Sequence, residues 1–418
     1  MLKGPLKGCL NMSKKVIVIA GTTGVGKSQL SIQLAQKFNG EVINSDSMQV
    51  YKDIPIITNK HPLQEREGIP HVMNNVDWSE EYYSHRFETE CMNAIEDIHR
   101  RGKIPIVVGG THYYLQTLFN KRVDTKSSER KLTRKQLDIL ESDPDVIYNT
   151  LVKCDPDIAT KYHPNDYRRV QRMLEIYYKT GKKPSETFNE QKITLKFDLF
   201  LWLYSKPEPL FQRLDDRVDD MLERGALQEI KQLYEYYSQN KFTPEQCENG
   251  VWQVIGFKEF LPWLTGKTDD NTKLEDCIER MKTRTRQYAK RQVKWIKKML
   301  IPDIKGDILL DATDLSQWDT NASQRAIAIS NDFISNRPIK QERAKALEEL
   351  LSKGETTMKK LDDWTHYTRN VCRNADGKNV VAIGEKYWKI HLGSRRHKSN
   401  LKRNTRQADF EKWKINKK

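Results

Sequence analysis

The sequence predicts an α/β fold in which a parallel β-sheet is covered by helices on both faces. Short apolar segments of strand length recur between stretches with helical periodicity. The first of these segments leads through a glycine-rich turn into a helix. Strands that are buried on both faces are apolar along their whole length, which is typical of parallel sheets.

The predicted elements follow one another along the chain. The strands cover Val16–Ala20, Glu41–Asn44, Ile104–Val108, Phe197–Tyr204 and Ile308–Leu310. Helices are predicted over Ser28–Phe38, between Pro207 and Gln239, and over the strongly basic stretch Leu274–Leu300. Residues 123–194 have no strand pattern and are helical and highly charged, which predicts a helical insertion into the α/β core.

These patterns divide the chain into five segments. A basic leader, residues 1–13, precedes a core built from residues 14–122 and 195–312, which the insertion interrupts at 123–194. A helical linker is predicted over 313–361, and a basic C-terminal module over 362–418.

The positive charge is concentrated at the C-terminus. The formal net charge is +15. From residue 353 onward, 18 Lys/Arg face 7 Asp/Glu, a net of +11, whereas the other residues carry 54 against 50, a net of +4. A nearly neutral body with a basic tail indicates a polyanionic partner, usually nucleic acid. A tail that only improves solubility is the alternative.

Composition also limits where the protein acts. The longest apolar stretch, Leu199–Tyr204, is too short to cross a bilayer. The six cysteines form no Cys-x-x-Cys pair, which favours reduced thiols inside the cell. The acid-free leader resembles a weak transit peptide. We therefore expect a cytoplasmic protein, with mitochondrial and nuclear pools as further expectations.

The strongest local motif is GTTGVGKS, which lies between the first strand and the first helix. It matches G-x-x-x-x-G-K-[ST] and predicts a P-loop-like core that binds a phosphate compound with Mg²⁺. No other strong strand of the core ends in a pair of acids, so we expect diphosphate binding without nucleotide hydrolysis. The residues of the motif are Gly21, Thr22, Thr23, Gly24, Val25, Gly26, Lys27 and Ser28.

Asp46 follows the second predicted strand, at the edge of the sheet where the phosphate loop also lies. A carboxylate at this edge can take a proton from a bound nucleophile. It can equally cap a helix that begins there. The spacing leaves both interpretations open.

Several motifs, in order between residues 16 and 298, resemble those of the tRNA dimethylallyltransferase (tRNA isopentenyltransferase) family, and the likeness is closest to a fungal member. Besides the phosphate loop they are Asp46–Tyr51, Gly109-Gly110-Thr111, Asn165–Glu175, Gly181–Ser185, Arg213, Arg217, Gly225, Ile255–Glu259 and Tyr288–Gln292. One departure is His112, where the family commonly has a small residue.

The resemblance implies transfer of the dimethylallyl group from dimethylallyl diphosphate to N6 of the adenosine 3′-adjacent to the tRNA anticodon. Asp46 would accept the proton, with Thr23 and Arg217 as further catalytic residues. The phosphate loop, Thr111 and Arg217 would hold the diphosphate with Mg²⁺. Contacts to the tRNA anticodon stem-loop would come from Asp46, Ser47, Met48, Gln49, Arg168, Gln171 and Arg172. A monomer is expected.

The tail contains part of a zinc-finger pattern. Cys372, His391 and His397 have the spacing of the last three ligands, and eukaryotic members of the family often carry such a finger. A Cys-x-x-Cys start would require cysteine at 369, where this sequence has Arg369. His366 or a water could take the fourth position.

Two other functions fit parts of the sequence. A P-loop kinase of a small metabolite or nucleoside would use the phosphate loop but has no need of the basic tail. An RNA-binding protein with an inactive phosphate loop would have no need to keep Lys27, Ser28, Asp46 and Arg217 together.

Overall fold

We describe a computed structural model of the chain. The structure describes residues 15–72, 75–119, 130–189, 199–243, 246–266, 273–301, 304, 307–339, 364–374 and 377–415. The predicted leader and the second half of the predicted linker lie outside these residues. The described residues form two compact units, one around a sheet (to residue 121 and from 193 to 353) and one of residues 122–192 with 354–418.

The first unit is built on one six-stranded sheet in which every neighbouring pair of strands is parallel. This confirms the predicted parallel α/β core. The strand order is β3-β2-β4-β1-β5-β6. The strands are β1 Ile17–Gly21, β2 Gly40–Asn44, β3 His71–Val72, β4 Ile104–Val108, β5 Leu199–Tyr204 and β6 Asp307–Asp311.

Helices cover both faces of this sheet. The helices of this unit are α1 Lys27–Phe38, α2 Ser84–Arg100, α3 His112–Phe119, α9 Pro207–Glu223, α10 Ala226–Gln239, α11 Phe257–Thr265, α12 Leu274–Trp295 and α13 Gln324–Ile334. The helices of the second unit in the same numbering are α4 Arg134–Leu140, α5 Pro144–Cys154, α6 Pro156–Ala159, α7 Tyr167–Thr180, α8 Pro184–Asn189, α14 Glu385–Gly393 and α15 Arg395–Ile415.

Alternation along β1 sends side chains into two hydrophobic cores. Ile17 and Ile19 pack with residues of α1 and α13, whereas Val18 and Ala20 pack on the opposite face with α2, α3 and α10–α12. Successive residues of a strand point to opposite faces of a sheet, so a strand covered on both sides is buried throughout. All of β1 is buried.

The segment after β6 corrects the predicted linker. Residues 313–338 pack onto the α1 face of the sheet, where Trp318, Ala322, Ala326, Ile329 and Phe333 join the hydrophobic core. These apolar residues recur every three to four positions, the spacing of a buried helical stripe. The prediction of a linker from residue 313 was therefore wrong for this segment, because its overall polarity concealed the stripe.

The second unit combines the helical insertion with the C-terminal segment. Helices α4–α7 share a small core around Ile147, Leu151, Val170 and Leu174. The C-terminal segment begins with an antiparallel hairpin, β7 His366–Arg373 and β8 Asn379–Ile383, followed by α14 and α15. Its strands contact the insertion, where His366 Nε2 lies 2.9 Å from the carbonyl oxygen of Thr160.

Within the described ranges, none of the helices is both long enough and apolar enough to span a membrane.

Candidate active site

Three loops meet at the carboxyl edge of the sheet, because β1, β2 and β4 are parallel neighbours or near neighbours. They are the phosphate loop after β1, the Asp46 segment after β2 and Gly109–Gly110 after β4. Together with residues of α9 and α12 they surround a cavity of about 640 Å³. A topological switch point of this kind is where parallel α/β sheets bind their ligands.

The phosphate loop has the backbone conformation that its glycines allow. Gly24 and Gly26 have φ angles of 77° and 92°, in the left-handed region that favours glycine. Gly26 is the N-cap of α1, so the first amides of that helix face the cavity. Trp318 supports the loop from below, because a β-carbon built on Gly26 would lie 2.7 Å from the indole ring.

Two half-buried cations stand beside this loop. Burial lowers the pKa of Lys27 to about 8, with nearby Asp46 raising it and Arg217 lowering it further. Burial likewise lowers the pKa of Arg217 to about 10. Lys27 Nζ donates to the carbonyl oxygen of Thr22 at 2.7 Å, and Arg217 Nη2 donates to Thr23 Oγ1 at 2.9 Å. A site that concentrates positive charge out of water is suited to a polyanion.

Asp46 sits in a turn that its own carboxylate closes. Oδ1 accepts the backbone N–H of Met48 at 3.0 Å, and the backbone N–H of Asp46 donates to Asn44 Oδ1 at 3.0 Å. No helix begins here within the described residues around position 46, so the helix-cap interpretation is wrong. Asp46 lines the cavity.

The Gly109-Gly110-Thr111 loop packs directly against the Asp46 segment. A β-carbon on Gly109 would lie 2.3 Å from the backbone of Ser45, so only glycine fits. Thr111 Oγ1 accepts the N–H of Ser47 at 2.9 Å and donates to Ser47 Oγ at 3.0 Å. The structure thus places Thr111 on the Asp46 segment rather than along the cavity wall, and its predicted contact with the diphosphate stays a prediction.

His112, the departure from the family pattern, is buried behind the phosphate loop. Its Nε2 lies 3.1 Å from the carbonyl oxygen of Gly21 and 3.4 Å from the backbone nitrogen of the same residue. Burial, reinforced by the charge of Lys27, lowers the pKa of His112 to about 3. The neutral ring ties the loop after β4 to the end of β1.

Apart from Thr111 and the predicted metal ligands, the predicted site residues fall into three groups. Lining the cavity are Thr23, Gly24, Gly26, Lys27, Ser28, Asp46, Ser47, Met48, Gln49 and Arg217. Buried around the loop are Gly21, Thr22 and Val25. The third group belongs to the second unit, on α7: Arg168 is exposed, Arg172 pairs with Glu175 at 2.6 Å, and Gln171 Nε2 donates to the carbonyl oxygen of Leu140 at 2.8 Å.

Sequence reasoning missed several residues of this site. Exposed cations at the cavity wall, Lys258, Arg284 and Arg291, had no assigned role. Tyr288 and Gln292 of α12 stand in a quoted motif but had no assigned role; Tyr288 lines the cavity, and both contact the carbonyl oxygen of Gly110. They lie four positions apart on one helix face, and uncharged polar residues at that spacing within a basic helix are the signal that could have found them.

A separate group of metal-ligand side chains lies in the second unit. Ligand atoms of Cys372, His391 and His397 all fall within 4.8 Å of one another. Cys372 Sγ lies 3.5 Å from His397 Nδ1, which lies 3.2 Å from His391 Nε2. Cys372 and His397 are buried. The structure therefore brings together the three side chains that the sequence grouped, and their binding of a metal stays a prediction.

His366 does not complete this group. Its ring stacks on Tyr148 with centroids 6.4 Å apart, and Nε2 lies 2.9 Å from the carbonyl oxygen of Thr160. Both contacts turn the ring toward the helical insertion. The suggestion that His366 supplies a fourth ligand was wrong, because the side chain is engaged in joining the hairpin to the insertion. Arg369 is exposed.

Comparisons with family models give two matches. The model described as IPP transferase matches residues 49–299, and the model described as isopentenyl transferase matches residues 14–69. The first covers more than half of the chain.

Known proteins match over the full length. The tRNA dimethylallyltransferase of Saccharomyces cerevisiae is 98% identical over 100% of this chain and 99% of its own length. The human tRNA dimethylallyltransferase is 33% identical over 95% of this chain and 88% of its own length. A solved structure of a eukaryotic dimethylallyltransferase acting on tRNA is 96% identical, covers 96% of this chain and 100% of its own, and superposes with a TM-score of 0.91.

Proposed function

Since the chain belongs to the IPP transferase family of tRNA dimethylallyltransferases, we propose that it transfers the dimethylallyl group from dimethylallyl diphosphate to N6 of the adenosine 3′-adjacent to the anticodon. Family membership confirms the resemblance drawn from the motifs. The observation that supports the chemistry is that one cavity is lined by both the cationic phosphate loop and the Asp46 carboxylate.

The leaving group is the first requirement of this reaction. As the carbon–oxygen bond of the allylic ester breaks, negative charge grows on the diphosphate. Lys27, Arg217 and the amides at the start of α1 stand at the cavity wall where that charge would develop. Cations and N–H groups that are placed before the reaction lower its barrier because they need no reorganisation.

A magnesium ion fits the same loop. Mg²⁺ binds through one or two protein oxygens together with substrate phosphates and water. Ser28 lines the cavity at the first turn of α1, so its hydroxyl and the diphosphate oxygens would hold the ion. When bound, the ion would neutralise part of the diphosphate charge.

The nucleophile is the second requirement. The exocyclic amine of adenine is weakly nucleophilic, so it needs to lose a proton as its nitrogen bonds to the allylic carbon. In the proposal Asp46 takes that proton while the diphosphate departs with the electron pair of the broken carbon–oxygen bond. The adenine must leave its stack to reach the cavity.

The tRNA needs a surface beyond the reacting base. Ser47, Met48 and Gln49 would contact the target and neighbouring bases, and Arg168, Gln171 and Arg172 would hold the anticodon loop. The exposed cations Lys258, Arg284 and Arg291 add positive charge at the cavity wall. Phosphate contacts of this kind supply most of the affinity for RNA and position it.

The C-terminal module would bind zinc through three side chains. Thiolates and imidazoles are the ligands that zinc uses in finger folds, and this group offers one thiolate and two imidazoles. The convergence of a hairpin cysteine with two histidines of the helices that follow supports this proposal. With Arg369 in place of a cysteine, a water would fill the fourth position, so we expect a weaker site than a complete finger.

A direct experiment tests the reaction. The purified protein is incubated with tRNA, Mg²⁺ and dimethylallyl diphosphate, and the tRNA is digested and analysed by mass spectrometry. Addition of a dimethylallyl group to the adenosine beside the anticodon supports the proposal. Phosphate transfer from ATP to a small acceptor, without change in the tRNA, would favour the kinase alternative instead.

We also propose that the enzyme acts as a monomer in the cytoplasm, with part of it directed to mitochondria and the nucleus. The leader contains Lys3 and Lys7 and no acidic residue before Met12. Initiation at Met1 would keep this leader, and initiation at Met12 would remove it. A tagged Met12→Ala protein that stays wholly outside mitochondria would contradict mitochondrial import.

A further inference from the structure

One buried side chain joins the two loops on which the reaction depends. Gln292, on α12, is 3% exposed. Its Oε1 accepts the backbone N–H of Thr23 in the phosphate loop at 2.8 Å, and its Nε2 donates to the carbonyl oxygen of Gly110 at 2.8 Å. A primary amide can accept and donate at once, so it satisfies both loops with one residue.

The Gly110 end of this bridge lies next to Asp46, the proposed general base. A β-carbon built on Gly110 would lie 2.8 Å from Gln292 Nε2 and 2.9 Å from Asp46 Oδ2. Gly110 is therefore in close contact with both side chains. Thr111, the next residue, holds Ser47 through its hydroxyl. Movement of Gly110 would therefore move Asp46.

Tyr288 reinforces the same contact from one helical turn earlier. Its hydroxyl donates to the carbonyl oxygen of Gly110 at 3.2 Å. Burial, together with nearby Asp46, raises the pKa of Tyr288. The phenol therefore stays protonated and remains a donor at neutral pH.

We propose that Gln292 is a positioning residue that fixes the distance between the diphosphate loop and the Asp46 carboxylate. This inference rests on the proposed function. Transfer requires the leaving group on one side of the allylic carbon and the amine with its base on the other, so an error of about 1 Å in that distance can cost about a hundredfold in rate. Gln292 contributes to geometry and does not line the cavity.

A consequence for binding follows from the Thr23 end. The Thr23 amide already donates to Gln292, so it is not free to hold phosphate while the bridge is intact. The diphosphate would then depend on the remaining amides of the loop and on Lys27, Ser28 and Arg217. Loss of the bridge should therefore alter the rate of transfer more than the affinity for diphosphate.

The test uses Gln292→Glu, because the protonation state of the glutamate decides whether the side chain can donate to Gly110. A charged carboxylate accepts from Thr23 but cannot donate to Gly110, whereas the protonated acid does both. Burial raises the pKa of a carboxyl group, so the neutral form is reached by mild acidification. Single-turnover transfer is measured at saturating substrates and expressed as the ratio to the wild-type rate at each pH.

At about pH 8 this ratio should fall by about ten- to a hundredfold, the usual effect of an unsatisfied buried hydrogen-bonding group. At about pH 5.5 it should recover most of the loss. The titratable neighbours Asp46, Lys27, Arg217, Tyr288 and His112 are present in both proteins, so the ratio removes the pH dependence that the two proteins share. Dissociation constants for inorganic diphosphate and tRNA should change by less than about threefold.

Two further variants keep the test decisive. Gln292→Met has similar volume and neither hydrogen bond, so its rate should be low at every pH. Gln287→Glu makes the same substitution on the exposed side of the same helix and should match the wild-type rate at every pH.

A Gln292→Glu ratio that does not change with pH, or a wild-type rate in Gln292→Met, would overturn the proposal. If Gln292→Glu fails to fold, as seen by circular dichroism, the Gln292→Met rate decides. Absence of transfer by the wild-type enzyme would instead refute the proposed function.

Discussion

The carboxylate of Asp46 and the backbone N–H of Met48 form a hydrogen bond of 3.0 Å that closes the turn after β2. Only Oδ1 takes part in it. An asparagine amide oxygen can make the same bond, so the structural part of this side chain can be separated from its proton-accepting part.

Asp46→Asn should therefore leave the fold intact and slow the reaction. General-base catalysis is typically worth about 10²–10⁴-fold, and kcat should fall by about that factor. The dissociation constant for tRNA should change by less than about tenfold, because phosphate contacts dominate it. Asp53→Asn, at an exposed position of the same segment, is the matched control and should retain full activity. A near-normal kcat in Asp46→Asn would exclude this residue as the base.

The affinity for diphosphate should depend on pH through Lys27. Its pKa is lowered to about 8 by burial, so the amine is charged below that value and increasingly neutral above it. A bound polyanion favours the charged form, so binding takes up a proton at high pH. Calorimetric affinity for inorganic diphosphate should be constant near neutral pH and weaken above about pH 8, by up to tenfold per pH unit. Lys27→Arg should lose this dependence, since arginine stays charged. The same decline in both proteins would assign it to another group.

Arg369→Cys should strengthen zinc binding by the C-terminal module. A thiolate three residues before Cys372 would supply the fourth ligand of a closed tetrahedral site. We expect the affinity for zinc to rise by more than about a hundredfold, since even changes beyond the ligands cost about 10–100-fold. Competition with a chromogenic chelator measures it. Lys386→Cys, at an exposed position of α14, adds a thiol outside the ligand group and should bind zinc no more tightly than the parent chain.

Charge on α15 should set the salt dependence of tRNA binding. Lys398, Lys402 and Arg406 are exposed and four residues apart, so they form one stripe. Replacing all three by glutamine should weaken binding and reduce the slope of log K against log salt by about two to three. Turnover at saturating tRNA should change little. The dispersed triple change of Lys37, Lys206 and Lys241 to glutamine controls for net charge. An equal effect of both triple variants would show that only total charge matters.

Local sequence was sufficient for five of the six described strands of the sheet and for the phosphate loop. Both ends of strand β4 were predicted correctly, because its unbroken apolar run is bounded by Lys103 and Gly109. The edge strand β3 was missed because it is two residues long and includes His71. The glycines of GTTGVGKS determine the conformation of the loop, so that conformation could be predicted from eight adjacent residues.

The residues that support the phosphate loop from distant positions could not be predicted in the same way. Gln292 and Trp318 contact the phosphate loop from sequence positions far downstream. No periodicity relates them to it, since their contacts arise only when α12 and the segment after β6 pack on the sheet. His366 shows the same limit, because its spacing suggested a ligand whereas packing against Tyr148 gave it another contact.

The position of Trp318 beneath Gly26 also has a consequence for synthesis on the ribosome. The loop that holds the leaving group is among the first parts of the chain to be made, yet the indole that supports it is translated nearly 300 residues later. At about 5–20 residues per second, this interval is roughly 15–60 seconds. Throughout that time α1 lacks the apolar residues of the segment after β6 that pack on it. Chaperones that protect nascent chains would therefore be needed longest at the amino-terminal end of this enzyme, and a message truncated before Trp318 would yield a chain with its catalytic loop unsupported.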